Sequence, residues 1–236
     1  DNVDITSQKE LLYRANHNFG FICGYAENST IKLCEVASTC DLTLTHSKQS
    51  TFSIGGIAGS VVGSTISNSG SNAKLTATCQ DAELTNGNLN YYLGGVVGYF
   101  NTSNIIKSFS KSEITCSVTS TSEQEIQTFV GGIIGYNIAT NPSSIYIKDC
   151  YFVGKINSNT IANNKHQYIA GIVAYGANPN SLQNNIVLNL DSFTLNSSIA
   201  SPSTFLDYST SEDICTYYAS EDEFNIKLEI LINTQN

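Results

Sequence analysis

Val130-Gly131-Gly132-Ile133-Ile134-Gly135-Tyr136 recurs five times along the chain in related forms, and the spacing of its copies decides the fold. The other copies are Phe19-Gly20-Phe21-Ile22-Cys23-Gly24-Tyr25, Ile54-Gly55-Gly56-Ile57-Ala58-Gly59-Ser60, Leu93-Gly94-Gly95-Val96-Val97-Gly98-Tyr99 and Ile169-Ala170-Gly171-Ile172-Val173-Ala174-Tyr175. The next-to-last residues, 24, 59, 98, 135 and 174, are separated by 35, 39, 37 and 39 positions. A near-constant period in this range is the mark of a stacked-repeat architecture.

Between the copies lie two further short segments per period. The second includes Ile31-Lys32-Leu33-Cys34, Ile105-Ile106-Lys107-Ser108 and Ile147-Lys148-Asp149-Cys150, and the third includes Leu42-Thr43-Leu44, Leu75-Thr76-Ala77 and Ile114-Thr115-Cys116. In the fifth period the third segment is read at Val187-Leu188-Asn189-Leu190. These runs are short, alternating, rich in Ile, Val, Leu and Thr, and bounded by Ser, Asn and Gly, which are strand and turn signals. The expected fold is therefore all-β: a parallel β-helix of about five coils, one per repeat of about 37 residues, with three strands each. Residues 1–18 read as a lead-in, 19–199 as the repeats and 200–236 as a C-terminal cap, in which Phe224–Ile230 alternates like one more strand.

Stacked coils place equivalent residues above one another at about 4.8 Å, so columns should be chemically uniform. Ile22, Ile57, Val96, Ile133 and Ile172 form an aliphatic column expected to point inward, flanked by small residues: Gly20, Gly55, Gly94, Gly131 and Ala170 before it, and Gly24, Gly59, Gly98, Gly135 and Ala174 after it. The opposite face of the same strand is apolar as well, as in Phe19, Ile54, Leu93, Val130 and Ile169. A strand apolar on both sides is covered on both sides. Loops of this chain, a protein partner or self-assembly could supply that cover.

Composition narrows the function. Of 236 residues 41% are hydrophobic and 13% charged, the balance of a globular chain. A formal charge of -9, with Arg14 the only arginine, argues against nucleic acid and anionic membranes as partners. No apolar run approaches the roughly 20 residues of a membrane-spanning helix, so direct membrane insertion is not expected. Asp1 at the start and the absence of Met read as a processed chain or a piece of a longer one.

Seven cysteines are too few for a disulfide-built scaffold, although Cys34 and Cys40, six positions apart, could bridge locally. Cys34, Ser69, Ser108, Cys150 and Asn185 read as an inward ladder of small or polar residues. Asn28, Asn101 and Asn196 each begin an N-x-[S/T] sequon, compatible with N-glycosylation and secretion. His17, His46 and His166 fall in different repeats with no Cys or Ser partner in a recognisable frame, and Asp41, Asp81, Asp149 and Asp191 occupy non-equivalent positions. No catalytic set, metal site or cofactor is expected. The paired glycines lack the helix and Lys that a phosphate-cradling loop requires. The acidic Glu221-Asp222-Glu223 reads as a solvated face.

The Gly-Gly-[Ile/Val]-x-Gly-Tyr unit, with the Ile-x-x-Cys segment at 147–150, resembles the repeats of proteins carrying the GLUG motif over about residues 19–195. The first copy departs from it at Phe21, and the fifth at Ala170 and Ala174. The resemblance implies a β-solenoid of a large surface-exposed or secreted protein, adhesin-like or scaffolding, with no shared catalytic residues.

Tyr25, Tyr99, Tyr136 and Tyr175, interrupted by Ser60, are the candidate binding ladder. A row of aromatic faces tipped with hydroxyls can hold sugar rings or a protein. The ordinary use of such a row is to stack the coil ends. The expected function is a non-catalytic extracellular or cell-surface scaffold or adhesin with protein or carbohydrate partners. The alternatives are an intracellular filament or cytoskeletal component and a β-helix carbohydrate-active enzyme, the latter resting on fold analogy alone.

Overall fold

A computed structural model of the chain describes residues 4–7, 16–46, 50–80, 87–138, 145–178, 180–189, 192–201, 203, 205, 207 and 214–233. It is a parallel β-solenoid, nearly all β, with one short C-terminal helix. Each coil contains five short strands where three were expected. In the middle coil they are Leu89–Gly94, Val97–Asn101, Asn104–Ile106, Phe109–Ser110 and Glu113–Thr119. Equivalent strands stack into five sheets, referred to here as first to fifth in coil order.

The register follows the sequence period: Phe19, Ile54, Leu93, Val130 and Ile169 are aligned partners across the first sheet. Four periods separate its first strand from its last, so the solenoid makes about four turns, slightly fewer than the five coils expected. The last coil gives way to the cap. Phe193–Leu195 turns back into an antiparallel hairpin with Ser198–Ile199, and Cys215–Tyr218 joins the fourth sheet beside Asn185–Leu188. The fifth copy of the third segment is thus Phe193–Leu195, because 187–188 is already occupied as a strand of the fourth sheet.

The strand number rises from three to five because the heptapeptide is split by a bend and the second segment by a corner. Backbone in the left-handed region turns the chain at Asn28, Gly63 and Thr102, and again at Leu33, Asn68, Lys107, Asp149 and Asn184. Just inside the second corner, the expected polar ladder satisfies backbone donors. The Cys34 N–H donates to Ser69 Oγ at 3.2 Å, the Ser69 N–H to Ser108 Oγ at 3.4 Å and the Cys150 N–H to Asn185 Oδ1 at 3.1 Å. These buried amides would otherwise lack a partner at a corner where strand pairing lapses.

The glycine-rich heptapeptide is itself a bend. The first sheet ends at Gly20, Gly55, Gly94 and Gly131, the next two residues turn, and the second sheet folds back against the first. A Cβ at Gly59 or Gly98 would strike the backbone of Phe19 or Ile54, while one at Gly56 or Gly95 would strike Ser71 or Ser110 in the fourth sheet. This fold-back accounts for the doubly apolar pattern. Both faces are covered by this chain, which is one of the covers the pattern allowed. Ile57, Val96, Ile133 and Ile172 are fully buried as expected. Ile22, on the first rung, is 47% exposed.

Amides at the bend run up the stack. The Ile22 N–H donates to Ile57 C=O, Ile57 to Val96, Val96 to Ile133 and Ile133 to Ile172, all within 3.3 Å. At the last rung Asp207 replaces the missing carbonyl: its Oδ2 accepts from the Ile172 N–H at 2.6 Å and the Val173 N–H at 2.9 Å. Tyr217 donates its hydroxyl to Asp207 Oδ1 and accepts the Gly171 N–H at 2.7 Å.

The C-terminal helix, Glu221–Asn233, replaces the strand expected at 224–230. Phe224, Leu228 and Leu231, spaced i, i+4 and i+7, pack on Ile186 and Leu188. Ser220 caps the helix, accepting the Glu223 N–H at 3.4 Å. The acidic run therefore has a positional role, since Glu221, Asp222 and Glu223 occupy the first turn, where the helix dipole favours negative charge.

Replacing Gly95 by Ala should destabilise the fold by more than about 2 kcal/mol, because the methyl group meets the Gly132 carbonyl as well as Ser110. Gly63→Asn, at a φ of 56° that Asn28 also adopts, should cost less than about 1 kcal/mol in the same urea titration. Asp207 provides a pH test. Burial, working against its three donors, pushes its pKa from 3.8 up to about 6. The folded chain then holds the proton more tightly than the unfolded one. This group's contribution is fully present below about pH 4 and is lost as pH rises through about 6, by on the order of 3 kcal/mol. Asp207→Asn should flatten the melting temperature across that window.

Candidate functional site

The parallel register brings Tyr25, Ser60, Tyr99, Tyr136 and Tyr175 into one column of the second sheet, as the period requires. A second column faces it from the first sheet: Asn18, Ser53, Tyr92, Phe129 and Tyr168. The sequence reading did not single out this second column. Its signal is an aromatic residue seven positions before three of the tyrosines, which becomes meaningful once the heptapeptide is known to fold back.

Rings in the two columns interleave. Along the second sheet, Tyr99 and Tyr136 stack with centroids 5.7 Å apart and Tyr136 and Tyr175 at 5.4 Å, the latter pair within 3° of parallel. Across the columns, Tyr92 meets Tyr136 at 4.5 Å and Phe129 meets Tyr175 at 4.6 Å. These separations are those of favourable offset stacking. Tyr92 and Phe129 are buried beneath the ladder, whereas Tyr175 is 37% exposed and Tyr25, at the first rung, 51%.

The ladder is interrupted at one place. Ser60 and Ser53 hold small side chains where aromatic rings would continue the stack, and an open cleft of about 330 Å³ lies there between Tyr25 on one side and Tyr92, Tyr99 and Tyr136 on the other. Asn16, Asn18 and Thr51 complete its polar wall, and among the described residues no charged side chain lines it. The Tyr99 and Tyr136 phenols are raised above their ordinary pKa, first by desolvation and then by neighbouring tyrosines. Tyr25 is raised by desolvation and then by Glu27, whose carboxylate accepts its hydroxyl. All three remain neutral hydrogen-bonding groups at physiological pH.

Other expected sites are dispersed. Asn28 is exposed at a left-handed corner, Asn101 is half-buried and accepts the Thr102 hydroxyl at 3.1 Å, and Asn196 is exposed in the hairpin turn. Cys34 and Cys40 do not bridge, and none of the seven cysteines forms a disulfide. Cys34 belongs to the corner ladder, with its thiol directed at the Lys32 carbonyl at 3.4 Å, while Cys40 is buried beyond the fourth sheet. Burial raises the Cys116 and Cys215 thiols and pushes Cys150 up to about 12, which makes them poor nucleophiles.

His17 and His46 pack on Phe52, and His166 lies 3.5 Å from Glu125. Asp41 and Asp149 sit on different faces, while Asp81 and Asp191 lie outside the described residues. Among the described residues no group of three or more His, Cys, Asp or Glu could hold a metal ion, and no helix is long and apolar enough to cross a membrane. Lys111, Glu113 and Lys155 line another depression, of about 410 Å³. Glu113 and Lys155 belong to the aligned column Asp41, Lys74, Glu113, Lys155, whose alternating signs suit strand pairing.

The chain matches no protein-family model, no curated protein and no solved structure.

Tyr136 contacts four rings, so Tyr136→Ala should cost about 2–3 kcal/mol by urea denaturation. Tyr136→Phe keeps the stack and should stay within about 0.5 kcal/mol of the parent.

Proposed function

We propose that this chain is a non-catalytic repeat scaffold that works outside the cell, secreted or at the surface, and holds a protein or glycan partner on its aromatic rim. The observation that carries this reading is the double aromatic column. Half of it is buried as structural support, and the other half presents ring edges and hydroxyls to solvent in strict register. Pre-organised aromatic surface of this kind suits recognition, because little side-chain freedom remains to be lost on binding. The GLUG resemblance and the placement of Asn28 and Asn196 at exposed turns support the extracellular part. The non-catalytic part is supported by the separation of Asp41 from Asp149 and by the lack, among the described residues, of any cluster of three His, Cys, Asp or Glu that could hold a metal ion.

The seven unbridged thiols favour a second reading, a structural component of an intracellular assembly. Intact mass of the chain from its native source, non-reduced and alkylated, before and after enzymatic removal of N-glycans, separates the two. The extracellular scaffold predicts a mass loss that maps to Asn28 or Asn196. A bare chain carrying seven alkylated thiols would instead establish the intracellular alternative. For the rim, Tyr99→Ala combined with Tyr175→Ala should abolish capture of the native partner; unchanged capture would exclude the ladder as the binding surface.

A further inference from the structure

We propose that the interruption of the ladder at Ser60 is a binding slot for one pyranose ring of a neutral glycan, stacked between Tyr25 and Tyr99. This rests on the reading of the rim as a partner-binding surface and names the partner's chemistry.

The dimensions come from the repeat. Tyr25 and Tyr99 occupy the same column two rungs apart, with Ser60 between them. Two rung spacings amount to about 9–10 Å. A flat aromatic ring in contact on both faces needs about 7–8 Å, so it would fit loosely. A puckered pyranose with axial hydrogens fills the remainder and offers C–H groups to both ring faces. Elsewhere on the ladder the intervening position is already filled, with neighbouring rings 5.4–5.7 Å apart.

The polar groups agree with this occupant. Ser53 and Ser60 are only 3% and 4% exposed at the base of the cleft, and among the described residues the side chains of Asn18, Ser53 and Ser60 spend no hydrogen bond. Hydroxyl and amide groups that open onto the cleft suit a ligand that both donates and accepts. The hydroxyls of a sugar do both. Among the described residues the lining has no charged side chain, and the chain as a whole carries -9, which disfavours a uronic or sialic acid. An apolar protein side chain would leave the polar base unsatisfied.

The test is isothermal titration calorimetry of the full chain with neutral tetrasaccharides of glucose, galactose, mannose and N-acetylglucosamine, and with an oligogalacturonide as the acidic counterpart. At least one neutral series should bind and the galacturonide should not. Ser60→Tyr, which completes the ladder, and Tyr25→Ala, which removes an exposed wall, should each weaken binding at least about tenfold, whereas Tyr146→Ala, at an exposed tyrosine beside the third sheet and outside the rim, should change it less than about twofold. Circular dichroism melting shows that each variant folds. Tyr25 lies half exposed on the first rung, so its variant keeps the test valid should Ser60→Tyr not fold. Failure of every neutral saccharide to bind the parent chain would overturn the glycan inference, and binding indifferent to both Ser60→Tyr and Tyr25→Ala would overturn the slot. Either result leaves the wider rim reading standing if Tyr99→Ala with Tyr175→Ala still abolishes capture of the native partner.

Discussion

The rest of the structure depends on how closely the first and second sheets approach after the Gly-Gly bend. Two strands joined by a two-residue turn can lie back to back only if the facing positions next to the turn carry glycine or, as at Ala170 and Ala174, no more than a methyl group. Gly59 and Gly98 meet bare backbone on one side, and Gly56 and Gly95 meet the fourth sheet on the other. Each copy of the heptapeptide is thus pressed between two layers of its own chain. The bend amides point along the stack, so every rung supplies the acceptor for the rung before it. A repeat of this kind has little stability alone and gains it from its neighbours.

Such a stack creates an end problem, since the last rung has donors with no carbonyl above them. Asp207 and Tyr217 solve it with side chains, accepting three amides that a sixth copy would have taken. The helix then shields the fourth sheet with Phe224 and Leu231. The same logic operates within each coil, where Ser, Asn or Cys at the corners takes amides that strand pairing cannot reach. Polar residues in this interior therefore mark places where the backbone turns, and chemistry need not be sought in each of them.

The aromatic rim combines packing with display. Its inner column is covered by the outer one, and the outer one is held in register by the sheet beneath. An unbroken ladder would gain the most stacking energy, so the small residues at Ser53 and Ser60 forgo contacts that the neighbouring rungs make. Departures from the locally most stable choice are where function is to be sought. The cleft occurs at this departure, with its hydroxyls left open.

The period, the parallel stacking and the inward aliphatic column were legible in the sequence, because a repeated coil forces equivalent residues into contact and so leaves a regular imprint. The outer tyrosine column and the polar corner ladder were legible for the same reason. The bend was not, since a run of apolar and glycine residues reads alike whether it continues straight or folds back. With the bend hidden, the partner column of Tyr92, Phe129 and Tyr168 had no reason to meet the tyrosines. The helix at 221–233 was hidden by a run that is apolar at both strand and helix spacing, although Ser220 and Glu223 carry a capping signature. By itself the sequence determined what repeats and therefore what stacks. Which layers of one coil face each other, and hence where rings gather and where a gap stays open, was decided only by tertiary structure, because contacts across a coil depend on turn angles that no periodicity records.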